Sequence, residues 1–258
     1  MSLFSDYHMH PQGHRVQPYD QPLLQPWADA ARERGLRDIA FTDHDRYHEG
    51  VDFDAIERLR DNNPDLRIRA GIELDNDPVT SEAGRRWVQA HWDRLDFVLG
   101  SVHYLAADQM FDSVGQEHQF AGRDIDEIYA DYFARVREVA ASGLVDCLAH
   151  LDLIKIHRFR SRAPIADLIG ETLRFIKERG LSMEISTAGW RKPVGEQYPS
   201  VEVIRLAKEI GIPFTVASDA HSHVQQAENY ERLTGILAEC GISEVAIYER
   251  HRRQMVAV

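Results

Sequence analysis

The feature that most constrains this chain is a repeated placement. Histidines and carboxylates stand where short apolar runs end. Asp6-Tyr7-His8-Met9-His10 opens the series; Thr42-Asp43-His44, Gly71-Ile72-Glu73, Ser101-Val102-His103, Cys147-Leu148-Ala149-His150 and Ser218-Asp219-Ala220-His221 continue it. Runs such as Ile39-Ala40-Phe41 and Phe214-Thr215-Val216-Ala217 precede these groups and read as buried strands. A metal-type side chain at one strand end carries little meaning. The same placement on six strands, spread over most of the chain, makes the strands converge on one polar site. A barrel of parallel strands gathers its functional side chains in this way, at the C-terminal strand ends. Imidazole and carboxylate are ligands of zinc, iron and manganese, so the pattern predicts a multinuclear metalloenzyme.

The rest of the chain supports a barrel. Apolar runs end near residues 8, 42, 72, 102, 149, 185 and 217, with amphipathic stretches over 27–34, 53–60, 125–140, 165–177 and 201–208. Gly35, Gly143, Gly180, Gly211 and Gly241 each precede the next apolar run, where a glycine in the left-handed conformation stops a helix. Alternation of this kind predicts βα units and a parallel sheet of seven strands, with 243–248 as a short eighth. The polar insertion 108–124 and the stretch 11–26 are the expected mobile loops over the site. A chain of 258 residues suits one α/β domain, here 1–258.

Composition narrows the partners. Against 30 basic side chains stand 42 acidic ones, a formal net charge of −12, which repels nucleic-acid polymers and anionic membranes. No apolar run approaches the roughly 18 residues of a membrane helix. The N-terminus shows no secretory pattern, and Cys147 and Cys240 lie in apolar contexts as buried free thiols. These features predict a cytoplasmic protein.

Single residues are weighed within the series. His8 and His10 alternate by two, so both leave one face of an extended strand end. Asp219 and His221 repeat that alternation on the last strong strand. Glu73 carries two oxygens and can bridge two cations. A lone His103 or His150 is more often a satisfied core histidine; within the series each reads as a ligand. His44 ends the second strand, and His14 lies four residues past His10 on a loop that can return over the site. Asp6 either orients a histidine or fixes a turn, and Glu184 is either an orienting acid or an ion partner inside the barrel. His48, His91, His118 and His251 sit in polar helical or loop contexts, while His157 and His223 stay ambiguous.

The ordered set D-x-H-x-H, T-D-H, G-x-E, x-x-H, x-x-H and S-D-A-H, over residues 6–221, resembles the polymerase and histidinol phosphatase (PHP) superfamily. The resemblance implies a distorted (βα)7 barrel with up to three metal ions at the C-terminal strand ends. It implies one ion on His8, His10, Glu73 and Asp219, a second on Glu73, His103 and His150, and a third on His14, His44 and His221. The family's loop histidine lies further past the HxH pair than His14 does. Within the superfamily the chain is similar to the monofunctional histidinol-phosphate phosphatases through segments 150–155, 183–193 and 198–200. Those proteins usually carry Asn where Ser186 stands and Leu where Trp190 stands.

The resemblance implies a phosphomonoesterase acting on a small phosphate ester, L-histidinol phosphate, with two to three divalent ions (Zn, Fe or Mn). Such ions activate water and neutralise phosphoryl charge. Three would bring roughly +6 against roughly −2 from Glu73 and Asp219, which suits a phosphate dianion. Asp43, His221 and His14 are the candidates for moving the proton of the leaving oxygen. Arg191, Arg160 and Arg158 follow strands and are the candidates for clamping the phosphoryl oxygens. Glu117 and Glu196 are possible partners for a substrate ammonium. The alternatives are a PHP phosphoesterase for another small ester or nucleotide, an amidohydrolase-like enzyme, and a non-catalytic metal-binding module.

Overall fold

The computed structural model describes residues 4–105, 110–113 and 115–258. The apolar runs form seven parallel strands: β1 (Ser5–Asp6), β2 (Asp38–Phe41), β3 (Arg67–Asp75), β4 (Phe97–Ser101), β5 (Cys147–Leu148), β6 (Ser182–Ser186) and β7 (Phe214–Ala217). Their spatial order is their chain order, as in a βα barrel. The seam between last and first strand is stitched just beyond the short β1. Tyr7 N donates to Val216 O at 3.1 Å, and His10 N donates to Ala220 O at 2.8 Å. The expected seven-stranded barrel is the fold observed.

Among the described residues seven α-helices wrap it: α1 (Gln21–Glu33), α2 (Phe53–Asn62), α3 (Ser81–His91), α4 (Ile125–Ala141), α5 (Ile165–Glu178), α6 (Val201–Glu209) and α7 (Tyr230–Glu239). Short polar side chains start several of them. Asp20 accepts from Leu23 N at 2.8 Å, and Ser200 accepts from Val203 N at 3.4 Å. The five stop glycines all have φ between 63° and 74°. Helix α3 was not expected, and α7 was signalled only by its stop glycine, Gly241. In α3 only Gly84 and Val88 are buried, and in α7 only Leu233 and Leu237, so their apolar stripes are too thin to read.

The expected eighth strand forms, but not in the barrel. β8 (Glu244–Glu249) pairs antiparallel with β9 (Arg252–Ala257) in a separate hairpin. Its turn residues Arg250 and His251 have φ of 48° and 62°, the two left-handed positions of a tight hairpin. β8 plugs the barrel's base. Ala246, Ile247 and Tyr248 pack with Tyr7, Phe97, Leu99 and Cys147 in one buried cluster. Tyr248 N donates to Tyr7 Oη at 2.8 Å, and Tyr7 Oη donates to Asp38 Oδ1 at 2.8 Å.

The expected loops are partly tied down. In 108–124, residues 108, 109 and 114 lie outside the described ones, and Phe111 and Phe120 anchor the segment in the core. The second half of 11–26 belongs to α1, and Gln12 is buried.

Asp38 is fully buried, and Arg69 pairs with both its oxygens at 3.1 Å. Arg69→Ala should lower stability by about 3 kcal/mol, the low end for breaking a buried pair, because Arg67 and Tyr7 still contact Asp38. Urea unfolding should show this as a lower midpoint at unchanged slope; an unchanged midpoint contradicts it.

Candidate metal centre

The strand ends deliver their side chains to one point, and Glu73 is at its centre. Its carboxylate is fully buried. Oε1 lies 3.4 Å from His8 Nε2, 3.3 Å from His150 Nε2 and 3.8 Å from His103 Nε2. Oε2 lies 2.7 Å from His44 Nδ1 and 3.6 Å from His10 Nε2. Asp219 Oδ1 completes the floor at 3.3 Å from His10 Nε2 and 3.8 Å from His8 Nε2. Donors about 2.1 Å from one ion stand roughly 3.0–3.5 Å apart, so these separations suit shared cations. The nitrogens His8 Nε2, His10 Nε2 and His221 Nε2 are buried without a hydrogen-bond partner, a further sign that the donor set fits metal.

Four clusters of candidate ligand atoms occur among the described residues: His8, His10 and Asp219; His8, Glu73 and His150; His10, His44 and His221; and His44, Asp75 and His103. The first two overlap the sets that the resemblance implied. In the third, His10 joins His44 and His221 where His14 was expected. His14 is exposed, with its ring 4.4 Å from that of His221, at the cavity wall.

A surrounding layer of acids fixes the imidazoles. Glu184 Oε2 is 2.8 Å from His8 Nδ1, which leaves Nε2 to face the centre, and Glu184 Oε1 accepts from His150 N at 3.1 Å. Glu184 is therefore the orienting acid of its two readings. Asp75 does the same for His103, at 2.9 Å from Nδ1, and is held by Arg46 at 2.7 Å. Asp75 was missed, although its spacing of two from Glu73 on one strand was a signal. Asp6 fixes the turn after β7, accepting from Ser218 N at 2.9 Å and Ala227 N at 3.0 Å. Ser101 Oγ donates to Glu73 Oε1.

Electrostatics follow from burial and crowding. Burial, then the neighbouring imidazoles, holds His10 and His221 down at about 3. Burial also holds His44 at about 4. Neutral imidazole is the form that ligates metal. Burial works against ionising Glu73 and Asp219, but the imidazoles prevail and keep both well below the carboxylate range. Against the effect of burial, Glu184, Glu73 and Asp219 push His8 up, and Asp75 raises His103 to about 10.

The centre opens on a cavity of about 420 Å³. Arg191 and Lys192 line it with Met110, Asp112, Leu153 and Tyr198. Lys192 was missed, though it adjoins Arg191 in sequence. Arg191 Nη2 donates to Ser218 O at 2.6 Å and Asp219 O at 2.8 Å. Three expected site residues lie outside the lining of this cavity. Arg158 is exposed and donates to Pro193 O. Arg160 pairs with Glu196 at 2.6 Å and lines a separate depression with Asp152 and Lys155. Asp43 is fully buried, accepts from Tyr19 Oη at 2.6 Å and Gln12 N at 3.0 Å, and does not line the cavity. Neither Ser186 nor Trp190, the departures from the family pattern, lines it either. Of the ambiguous histidines, His157 contacts Phe111 O at 2.7 Å and His223 lies edge-on to Trp27.

Fold and centre together define a βα-barrel protein with a histidine-rich, metal-type centre built around a buried carboxylate. The chain belongs to the PHP domain family, whose pattern matches residues 6–188. It is 36% identical over 209 residues, 76% of this chain and 78% of the relative, to a probable histidinol-phosphatase of Deinococcus radiodurans. It is 27% identical over 181 residues to the histidinol-phosphatase of Bacillus subtilis, covering 64% of this chain and 68% of that protein. Its fold is that of histidinol phosphate phosphatase from Lactococcus lactis, a crystal structure with zinc, L-histidinol and phosphate, at a TM-score of 0.76 and 20% identity over 97% of this chain and 98% of that one. Among the described residues no helix is long and apolar enough to cross a membrane.

The depressed histidines give a pH prediction for chelator-treated protein. The unfolded chain takes up a proton on His221 below its ordinary value of 6.5, and the folded chain refuses it down to about 3. That contribution to stability is therefore full above pH 6.5 and lost as the pH falls. Asp6 and Asp43, raised by burial to about 6 and about 7, act in the opposite sense, so a difference is the clean test. His221→Asn should gain stability relative to wild type between about pH 6.5 and about pH 4.5, by at most about 1.4 kcal/mol per pH unit. A difference independent of pH contradicts the assignment.

Proposed function

We propose that the chain is a metal-dependent phosphomonoesterase, that its preferred substrate is L-histidinol phosphate, and that it serves histidine biosynthesis in the cytoplasm as a single PHP-type barrel domain over 1–258. The observation that carries the reading is the Glu73 carboxylate, ringed by imidazoles at the floor of a cavity whose wall bears Arg191 and Lys192. The relatives named histidinol-phosphatase support the substrate. The two buried free cysteines fit a reducing compartment.

His8, His10, Glu73 and Asp219 would hold one divalent ion, and Glu73, His103 and His150 a second. His44 and His221 would hold a third, with His10 or His14. Zinc, iron and manganese all accept this donor set. Bound ions supply Lewis acidity, an activated water and neutralisation of the phosphoryl charge. The remaining work falls to the chain. Glu184 and Asp75 keep His8 and His103 in the ligating orientation. Arg191 and Lys192 bind phosphoryl oxygens. Asp43 is enclosed and His221 is a candidate ligand held neutral by burial, so His14, at the cavity wall, is the group placed to hand a proton to the leaving oxygen when His10 completes the third site.

Elemental analysis should find two to three ions per chain, and Glu73→Ala should lose most of them. Its phosphatase activity should fall by about two orders of magnitude or more, with the circular dichroism of the fold retained. Near-normal activity in that variant contradicts the bridging role. Steady-state kinetics should rank L-histidinol phosphate above a nucleoside monophosphate and a phosphodiester; preference for either of the latter overturns the substrate assignment. Arg191→Ala should lose about tenfold or more in kcat/KM and be less sensitive to inhibition by inorganic phosphate. If the arginine holds ground and transition states equally, the loss sits in KM; if its grip tightens as charge develops, kcat falls too.

A further inference from the structure

Asp112 has no role in the chemistry above. Among the described residues the carboxylates lining the cavity are Glu73, Asp219 and Asp112, and the first two lie against the imidazole cluster. Asp112 is different. Among the described residues it forms no ion pair, and its Oδ1 is shielded from solvent without a hydrogen bond. Tyr198 lines the same cavity, and its hydroxyl is buried without a hydrogen-bond partner among the described residues. Buried polar atoms are rarely left in this state unless something not in the chain satisfies them.

The position of Asp112 is fixed by its neighbour. Phe111 N donates to His103 O at 2.9 Å, and Phe111 O lies 2.7 Å from His157 Nε2. The Phe111 ring is fully buried, edge-on to Tyr132 at 5.8 Å. Asp112 is thus carried on backbone pinned to His103, a candidate ligand. Its charge reaches both sides. It is among the charges that raise His103, after Asp75, and that raise the Tyr198 hydroxyl, after burial and Asp152. Met110, Leu153 and Pro193 give the same cavity apolar wall. The acids that sequence suggested for an ammonium are committed elsewhere. Glu117 lies 3.5 Å from His157, and Glu196 pairs with Arg160 at 2.6 Å and Lys155 at 3.5 Å.

We propose that Asp112, with the Tyr198 hydroxyl, is the specificity-determining pair that binds a cationic nitrogen on the organic half of the substrate. The site thereby selects phosphate monoesters of amino alcohols over neutral esters of similar size. The proposal rests on the phosphomonoesterase reading. Phosphoryl oxygens meet the cluster, Arg191 and Lys192, all cationic when loaded. A free carboxylate in the same cavity has no use in holding a phosphate and repels it. Its use is to neutralise the other end of a zwitterionic ester.

The test is steady-state kinetics of the metal-loaded full chain on L-histidinol phosphate and on propyl phosphate. Asp112→Asn keeps the shape and removes the charge. The ratio of the two kcat/KM values should fall about tenfold or more in Asp112→Asn and by a smaller factor in Tyr198→Phe. Inhibition by L-histidinol, the dephosphorylated product, should weaken in Asp112→Asn by a similar factor. An unchanged ratio with unchanged L-histidinol inhibition overturns the pair and leaves the phosphomonoesterase reading standing. Hydrolysis of neither ester by the wild type overturns both.

Discussion

The structure depends on one interaction, a fully buried carboxylate that stays ionised. Taking Glu73 out of water favours its neutral form, and only the surrounding imidazoles reverse that preference. Its charge must then be answered from within the barrel. Protons on His8 and His103 can answer it in the metal-free protein, and divalent cations can answer it in their place, so metal binding releases protons. The demand also explains local geometry. β3 is the longest barrel strand, at nine residues, and carries Glu73 beyond the level at which β2 ends, where Phe41 pairs with Ala70. Glu73 N donates to Asp43 O at 3.0 Å, which brings His44 alongside the carboxylate it must meet.

The bonds that orient the candidate ligands are also bonds that hold the barrel. Glu184 on β6 grips His8 beyond β1 and the backbone of His150 beyond β5. Asp6 at the end of β1 grips the turn that carries Asp219 after β7. A ligand cannot shift without disturbing a strand on another side of the sheet. At the opposite end, the β8 plug, Tyr7 and the Asp38–Arg69 pair prevent the interior from collapsing or flooding. Precise ligand separation needs such a frame, because a centre held on loops alone would relax to satisfy its orphaned nitrogens in other ways.

Sequence made the candidate ligands legible because strand periodicity is simple. An i, i+2 pair such as His8 and His10, or Asp219 and His221, shares a face without knowledge of the rest of the fold. The stop glycines were legible for an equally local reason. Features that depend on distant partners were not. Asp75 gains meaning only beside His103, and Glu184 only across from His8. Arg160 and Arg191 look alike in sequence, yet Glu196 captures the first outside the cavity while the second turns inward. Asp43 follows a strand like a ligand but is held by Tyr19, on the outer side of His10 and 3.9 Å from its Nδ1. The 243–248 run was a strand, as expected, yet a two-residue turn made it half of a hairpin rather than a barrel stave.

Two candidate ligands occupy backbone that residues other than glycine avoid. His150 has φ of 23° and Asp219 of 50°, conformations that cost about 1–3 kcal/mol each and persist only where the surroundings impose them. Charged groups impose both. Glu184 holds His150 N, while Arg191 holds the carbonyls of Ser218 and Asp219. Arg191 can do this and still bind substrate. A guanidinium has five N–H donors, and the two on Nη2 serve the carbonyls. Nε remains, together with Nη1, whose recorded contact is a 3.4 Å approach to the half-exposed Glu228. A phosphoryl group arriving at those donors would add to the clamp on Asp219 rather than compete with it. The side chain that recognises the anion would then tighten the loop that presents the carboxylate.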